Sequence, residues 1–210
     1  PMDGEEVDTV LPTPDVLARQ HDVPHLQGEI ARRLALRAVP PRSGGMRFVT
    51  VGRVSPEKNH ARLIRAFAAL RADHGDAELV VIGDGPLLEA TRELAHSLGV
   101  ADGVHFTGLL HNPWALMAEC DVFVLSSDYE GQPMVILEAR VLGLPVVSTA
   151  FGSVGGAVPA GTGLVVECSH EALTEGMATA LRGEVPNPPF DAQHYNDEAM
   201  TEFYRAIGAT

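Results

Sequence analysis

From Met46 onward, short and largely apolar runs alternate with longer stretches in which apolar residues recur at helical spacing. Arg47–Val51, Glu78–Ile82, Val104–Thr107, Asp121–Leu125, Pro145–Ser148 and Gly163–Val166 predict strands, because brief apolar runs bounded by turn residues fit a buried strand. His60–Ala72 sets Leu63, Ile64, Phe67, Ala68 and Leu70 on one helical face, and Leu87–Leu98 and Glu171–Leu181 repeat that pattern. Strands and helices alternating in this way predict an α/β fold, a Rossmann-like doubly wound parallel sheet wrapped by helices.

The flanks read differently. Residues 1–45 carry prolines at 1, 12, 14, 24, 40 and 41 and close on Ser43-Gly44-Gly45, which marks an extension or linker. Within it, Leu26 to Val39 has the spacing of a short helix ended by Pro40-Pro41. A main domain over 46–185 is followed at 186–210 by a Pro-rich bridge, Pro186 to Pro189, and a terminal helix over Asn196 to Ile207. Its Met200, Phe203, Tyr204 and Ile207 lie at helical spacing, and Phe203, Tyr204 and Ile207 could form an exposed apolar patch that drives homodimer formation.

Composition narrows the function classes. With 210 residues and 45% hydrophobic content the chain suits one main core. A net charge of -13 excludes the basic footprint of a nucleic-acid or anionic-membrane binder, so any phosphate site must be local. Cys120 and Cys168 are far apart and form no disulfide framework, which fits a reducing, cytoplasmic location. No run approaches the roughly 18 apolar residues of a membrane span. The opening Pro-Met-Asp-Gly-Glu-Glu reads as an internal start or as a cloning scar. The nine histidines are scattered, and no His/Cys/Asp cluster has ligand spacing, so no metal is expected.

In open α/β sheets ligands bind beyond the carboxyl ends of the strands, which directs attention to four loops. The first, Gly52 to Asn59, carries Arg53 and Lys58 and runs into a helix; it is either a diphosphate clamp or a surface loop with solvated charges. Gly83-Asp84-Gly85-Pro86 allows close backbone approach, yet Leu88 stands where a dinucleotide fingerprint needs its third glycine. Gly108-Leu109-Leu110 offers an apolar edge for a nucleobase, or simply core.

The fourth loop runs from Ser126 to Pro133. With Pro133 at the first helical position, the amides of Gly131, Gln132 and the first turn make an anion cradle with Glu130 at its mouth. Glu138 falls inside a helix that is apolar almost all round, where a carboxylate needs a partner. It is either paired with a neighbouring base or free to accept from the two vicinal hydroxyls of a ribose.

Glu130 and Glu138 form an E-x7-E pair, and with the neighbouring loops they resemble the retaining GT-B glycosyltransferases of family four, glycosyl transferases group 1. The likeness covers roughly residues 46–183: Val51-Gly52-Arg53 with Glu57-Lys58-Asn59, Val81 to Pro86, and Leu142 to Val147 each look like a segment of that family. It implies that Arg53 and Lys58 hold the donor diphosphate, that Glu130 contacts the transferred sugar, and that Glu138 binds ribose. Gly52, Gly83, Gly85, Leu109, Gly131, Gln132, Pro133 and Met134 complete the implied donor site.

The family's Gly-Phe-Gly after the first glutamate is here Gly131-Gln132-Pro133, and Glu-Gly-x-Pro-Met resembles enzymes that glucosylate wall polymers such as poly(glycerol phosphate). Gly152 to Gly156 resembles the family's glycine-rich loop without its usual Pro-Glu. The resemblance also implies a separate amino-terminal acceptor domain, without which this chain alone does not turn over. It further implies a metal-independent reaction on a UDP- or GDP-type sugar, with no cofactor. Three rival readings are a glycosidase acting through its two glutamates, a non-catalytic nucleotide-sugar-binding domain and a nucleotide-sugar epimerase.

Overall fold

The computed structural model describes Arg32 and residues 35–206, with the backbone alone at 198 and 202–206. Six strands form one parallel sheet: β1 (Arg47–Val51), β2 (Glu78–Ile82), β3 (Val104–Gly108), β4 (Val122–Leu125), β5 (Val146–Thr149) and β6 (Leu164–Val166). Their spatial order is β3-β2-β1-β4-β5-β6, so the direction of winding reverses between β1 and β4. The connecting helices are α1 (His60–Asp73), α2 (Leu88–Ser97), α3 (Pro113–Met117), α4 (Met134–Val141), α5 (Val154–Ala157) and α6 (His170–Leu181), followed by α7 (Ala192–Ala206).

The strands read as continuous apolar runs because both sheet faces are covered. Phe48, Leu79, Val81, Val122, Val124 and Val147 point into a core with α1, α2 and α6. Their neighbours Val49, Val80, Ile82, Phe123, Leu125 and Val146 point into the opposite core, with α3, α4 and α5. Phe48, Phe67 and Phe123 are fully buried, and each such burial contributes about 1.5–3 kcal/mol. This two-faced burial holds the carboxyl ends of β1 and β4 side by side at one edge.

Predicted and observed strand limits differ by one residue at most. The helical spacing over 60–72, 87–98 and 171–181 corresponds to α1, α2 and α6. Two short helices, α3 and α5, were not predicted, since a single turn is too brief to show a period. Of the helix expected over Leu26 to Val39, Arg32 and the end from residue 35 lie within the described residues, where Arg32 and 35–37 are helical and Ala35 and Val39 are buried. The terminal helix begins at Ala192, before its predicted start; Ile207 and the side chains of Phe203 and Tyr204 lie outside what is described. Phe190 and Tyr195 pack on the α3–α5 side of the core, with Phe190 also against the Arg140 guanidinium.

At the opposite end of the sheet, Arg47 and Glu78 form a buried ion pair. Burial alone would push the Glu78 carboxyl up, but bonds from Ser43 and Arg47 hold it below its usual range. Among the described residues no helix is long and apolar enough to cross a membrane.

Candidate functional site

At the reversal between β1 and β4, the loops that follow these two strands are stitched together. The Asp128 amide donates to Glu57 O at 2.8 Å, and Ser126 Oγ donates to Lys58 O at 2.9 Å. Arg62, on α1, donates to Ser126 O at 2.9 Å and to Asp128 Oδ1 at 2.6 Å. A tight turn over Pro56–Lys58 ends at Asn59, whose φ of 45° is the only positive value at a described non-glycine residue. Asparagine tolerates that conformation, and here its side-chain oxygen also caps α1 by accepting from the Arg62 amide at 3.2 Å.

This turn aims Lys58 at the second loop. Lys58 Nζ lies 2.7 Å and 2.6 Å from the two carboxylate oxygens of Glu130, and Ser127 Oγ donates to Oε1 at 2.6 Å. Ser153, in the loop after β5, donates to the Glu130 carbonyl at 2.9 Å. Glu130 is 8% exposed, so its charge is held by named donors rather than by bulk water. The resemblance assigns Lys58 to a diphosphate and Glu130 to a sugar, whereas in this structure the two bond each other. Arg53 is exposed; its carbonyl accepts from Ser55 Oγ at 3.3 Å, while its guanidinium makes no hydrogen bond or ion pair with any described residue.

Gly83 and Gly85 are explained by the first loop itself. A Cβ at Gly83 would sit 1.9 Å from Gly52 O, and one at Gly85 would sit 2.4 Å from Val54 O. Backbone bonds Gly52 N to Ile82 O, Val54 N to Asp84 O and Leu87 N to Val54 O close this packing. The glycines thus fix the height at which Arg53 leaves the sheet. Leu109 is 80% exposed just beyond the edge strand β3.

Pro133 is the residue before the helix rather than its first, with φ −81° and ψ 67°, and α4 begins at Met134. The Met134 amide is engaged by Gln132 O at 2.9 Å and that of Ile136 by Pro133 O at 3.0 Å. Among the described residues the amides of Gly131, Gln132 and Val135 find no acceptor, so the free donors of this turn are not the set the sequence predicts. Pro133 is buried, Gly131 and Gln132 are exposed, and Met134 is half-buried.

Glu138 is half-buried on α4 and makes no ion pair with a described residue. Burial pushes its carboxyl above the usual range, and the Trp114 indole N–H partly offsets that. Trp114 Nε1 itself is buried and has no hydrogen-bond partner among the described residues. Among the described residues no three His, Cys, Asp or Glu side chains could hold one metal ion. Sequence reasoning missed Trp114, Ser127 and Ser153. Asn112-Pro113, a cap followed by a first-turn proline, could have flagged α3; nothing local marks the two serines.

Fold and site together define a Rossmann-like α/β domain with its polar cluster at the switch point. Residues 35–198 match the family model described as Glycosyl transferases group 1, and the chain belongs to that family. It is 36% identical over 157 residues to the GDP-mannose-dependent alpha-(1-6)-phosphatidylinositol monomannoside mannosyltransferase of Mycobacterium tuberculosis, covering 69% of this chain and 38% of that protein. Among solved structures it resembles WaaG, a glycosyltransferase involved in lipopolysaccharide biosynthesis, with TM-score 0.64 and 28% identity over 89% of this chain and 51% of that one. It also resembles Anabaena Alr3699/HepE in complex with UDP and glucose, with TM-score 0.68 and 20% identity over 83% and 52% of the two chains. The chain thus spans about half the length of these structures and 38% of the mannosyltransferase.

Proposed function

We propose that this chain is the donor-binding domain of a retaining hexosyltransferase, taking a UDP- or GDP-sugar and serving cell-wall or polysaccharide synthesis on the cytoplasmic side. The observation that carries this reading is the cluster at the β1/β4 switch point: Lys58 shared with Glu130, and an Arg53 guanidinium and a Glu138 carboxyl that each lack an ion pair among the described residues. A nucleotide diphosphate needs cations, and a ribose needs a carboxylate that can accept two hydroxyls.

On this reading a bound diphosphate competes with Glu130 for Lys58 and recruits Arg53. Glu130, still held by Ser127, is then free to accept from sugar hydroxyls. Transfer breaks the bond from the anomeric carbon to the phosphate oxygen and forms one to the acceptor oxygen on the same face. The departing phosphate takes the acceptor proton, and the two cations stabilise its growing charge without a metal. The acceptor site belongs to a further domain, so this chain by itself does not turn over.

Saturation-transfer NMR of the chain with UDP-glucose and with GDP-mannose tests the reading. Saturation of ribose and hexose protons with one donor, lost in Lys58→Ala, supports it. Absence of saturation with both donors contradicts it.

A further inference from the structure

Asp128 lies two residues before Glu130, and its amide and both carboxylate oxygens are turned toward the loop that carries Lys58. The amide donates to Glu57 O at 2.8 Å, Oδ1 accepts from Arg62 Nη2 at 2.6 Å, and Oδ2 accepts from Asn59 Nδ2 at 2.8 Å. Asn59 can present its Nδ2 because its Oδ1 is already turned to the Arg62 amide, from which it accepts at 3.2 Å. Asp128, Asn59 and Arg62 thus form a closed ring of side-chain and backbone bonds. Arg62 also donates to Ser126 O at 2.9 Å, which ties the ring to the end of β4.

With 45% of the Asp128 side chain exposed, its ion pair with Arg62 contributes little to stability on its own. What the ring fixes is geometry. Asn59 directly follows Lys58 and holds the left-handed φ of 45° at which the turn changes direction. A lysine is a point charge on a flexible stem, so a small shift of its backbone takes the ammonium away from both Glu130 oxygens.

We infer that Asp128 is a positioning residue: through Asn59 and Arg62 it holds the turn from which Lys58 reaches, so that one ammonium can pass from Glu130 to a donor diphosphate. The diphosphate part rests on the proposed donor site; the hold on the Lys58–Glu130 pair does not.

Urea midpoints test the hold without a ligand. The shift caused by Lys58→Ala should lose most of its size in an Asp128→Ala background, because the lysine no longer meets Glu130. A residue that merely steadied the fold would leave that shift as it is, and an unchanged shift overturns the hold. The double variant Asn59→Asp with Asp128→Asn keeps the ring with donor and acceptor exchanged. Its side chain at 128 still accepts from Arg62, and its side chain at 59 tolerates the left-handed φ and still caps α1. In that background the shift caused by Lys58→Ala should return; its failure to return overturns the ring as the cause.

Calorimetric titrations with UDP and GDP test the second part. Asp128→Ala should weaken the nucleotide that binds about tenfold, as for one lost charged hydrogen bond, and the exchanged pair should restore it. No loss in Asp128→Ala, or a loss that the exchanged pair does not restore, overturns the diphosphate part. Failure of both nucleotides to bind the wild-type chain sinks the donor site and the diphosphate part together, while the urea midpoints still decide the hold.

Discussion

Lys58 and Glu130 stand 72 positions apart in the chain, yet the ammonium of one is within hydrogen-bond distance of both carboxylate oxygens of the other. The pair bridges the loops after β1 and β4, the two strands between which the sheet reverses its winding. Glu130 is the more deeply buried partner, with 7% of its side chain exposed against 21% for Lys58. Removing the lysine leaves a buried carboxylate with Ser127 as its remaining side-chain donor.

Lys58→Ala should therefore destabilise the fold by about 1–3 kcal/mol, the cost of an unsatisfied buried polar group. In a Glu130→Gln background the same substitution should cost clearly less, and urea midpoints of the four chains give the coupling. Additive effects would mean that the two side chains do not share an interaction.

Gly83→Ala places a methyl group 1.9 Å from Gly52 O at a φ of 142°. Overpacking of that kind costs about 1–3 kcal/mol, and the left-handed φ adds to it. Thermal unfolding should show the loss. Gly152→Ala, where the Cβ meets nothing within 4 Å, should leave the midpoint near its starting value.

Buried His60 begins α1 beside Lys58, and burial followed by that lysine's charge pushes its imidazole down from 6.5 to about 4. The unfolded chain binds the proton near 6.5 and the folded chain only near 4, so the stability is complete above 6.5 and is lost as pH falls through that window. The loss is on the order of 3 kcal/mol. Urea midpoints measured across this range should fall with acid in the wild type and fall less in His60→Gln; parallel slopes would contradict the burial of a neutral imidazole.

The sheet was legible because strands covered on both faces become short apolar runs, as in Leu79–Ile82 and Val122–Leu125, and helices such as α1 show a full period. One-turn α3 gives no period, so Trp114 went unread although Asn112-Pro113 marked the turn. Glu130 and Glu138 stood out by their spacing and surroundings. Their partners did not: Lys58, Ser127 and Ser153 meet Glu130 only once β1, β4 and β5 lie side by side. Gly83 and Gly85 were legible as sites of close approach, but only the folded backbone shows that Gly52 and Val54 are what approaches. Pro133 was misplaced by one position, because a proline before a helix and one inside its first turn leave the same local signature.

The donor-binding claim is tested most directly by calorimetric titration of the chain with UDP, GDP, ADP and their glucose and mannose conjugates, beside Arg53→Ala and Glu138→Ala. The account predicts that one nucleotide binds and that each substitution weakens it by about 1–3 kcal/mol, as expected for lost charged hydrogen bonds. Binding that survives both substitutions unchanged, or no binding by any of these nucleotides, would contradict it.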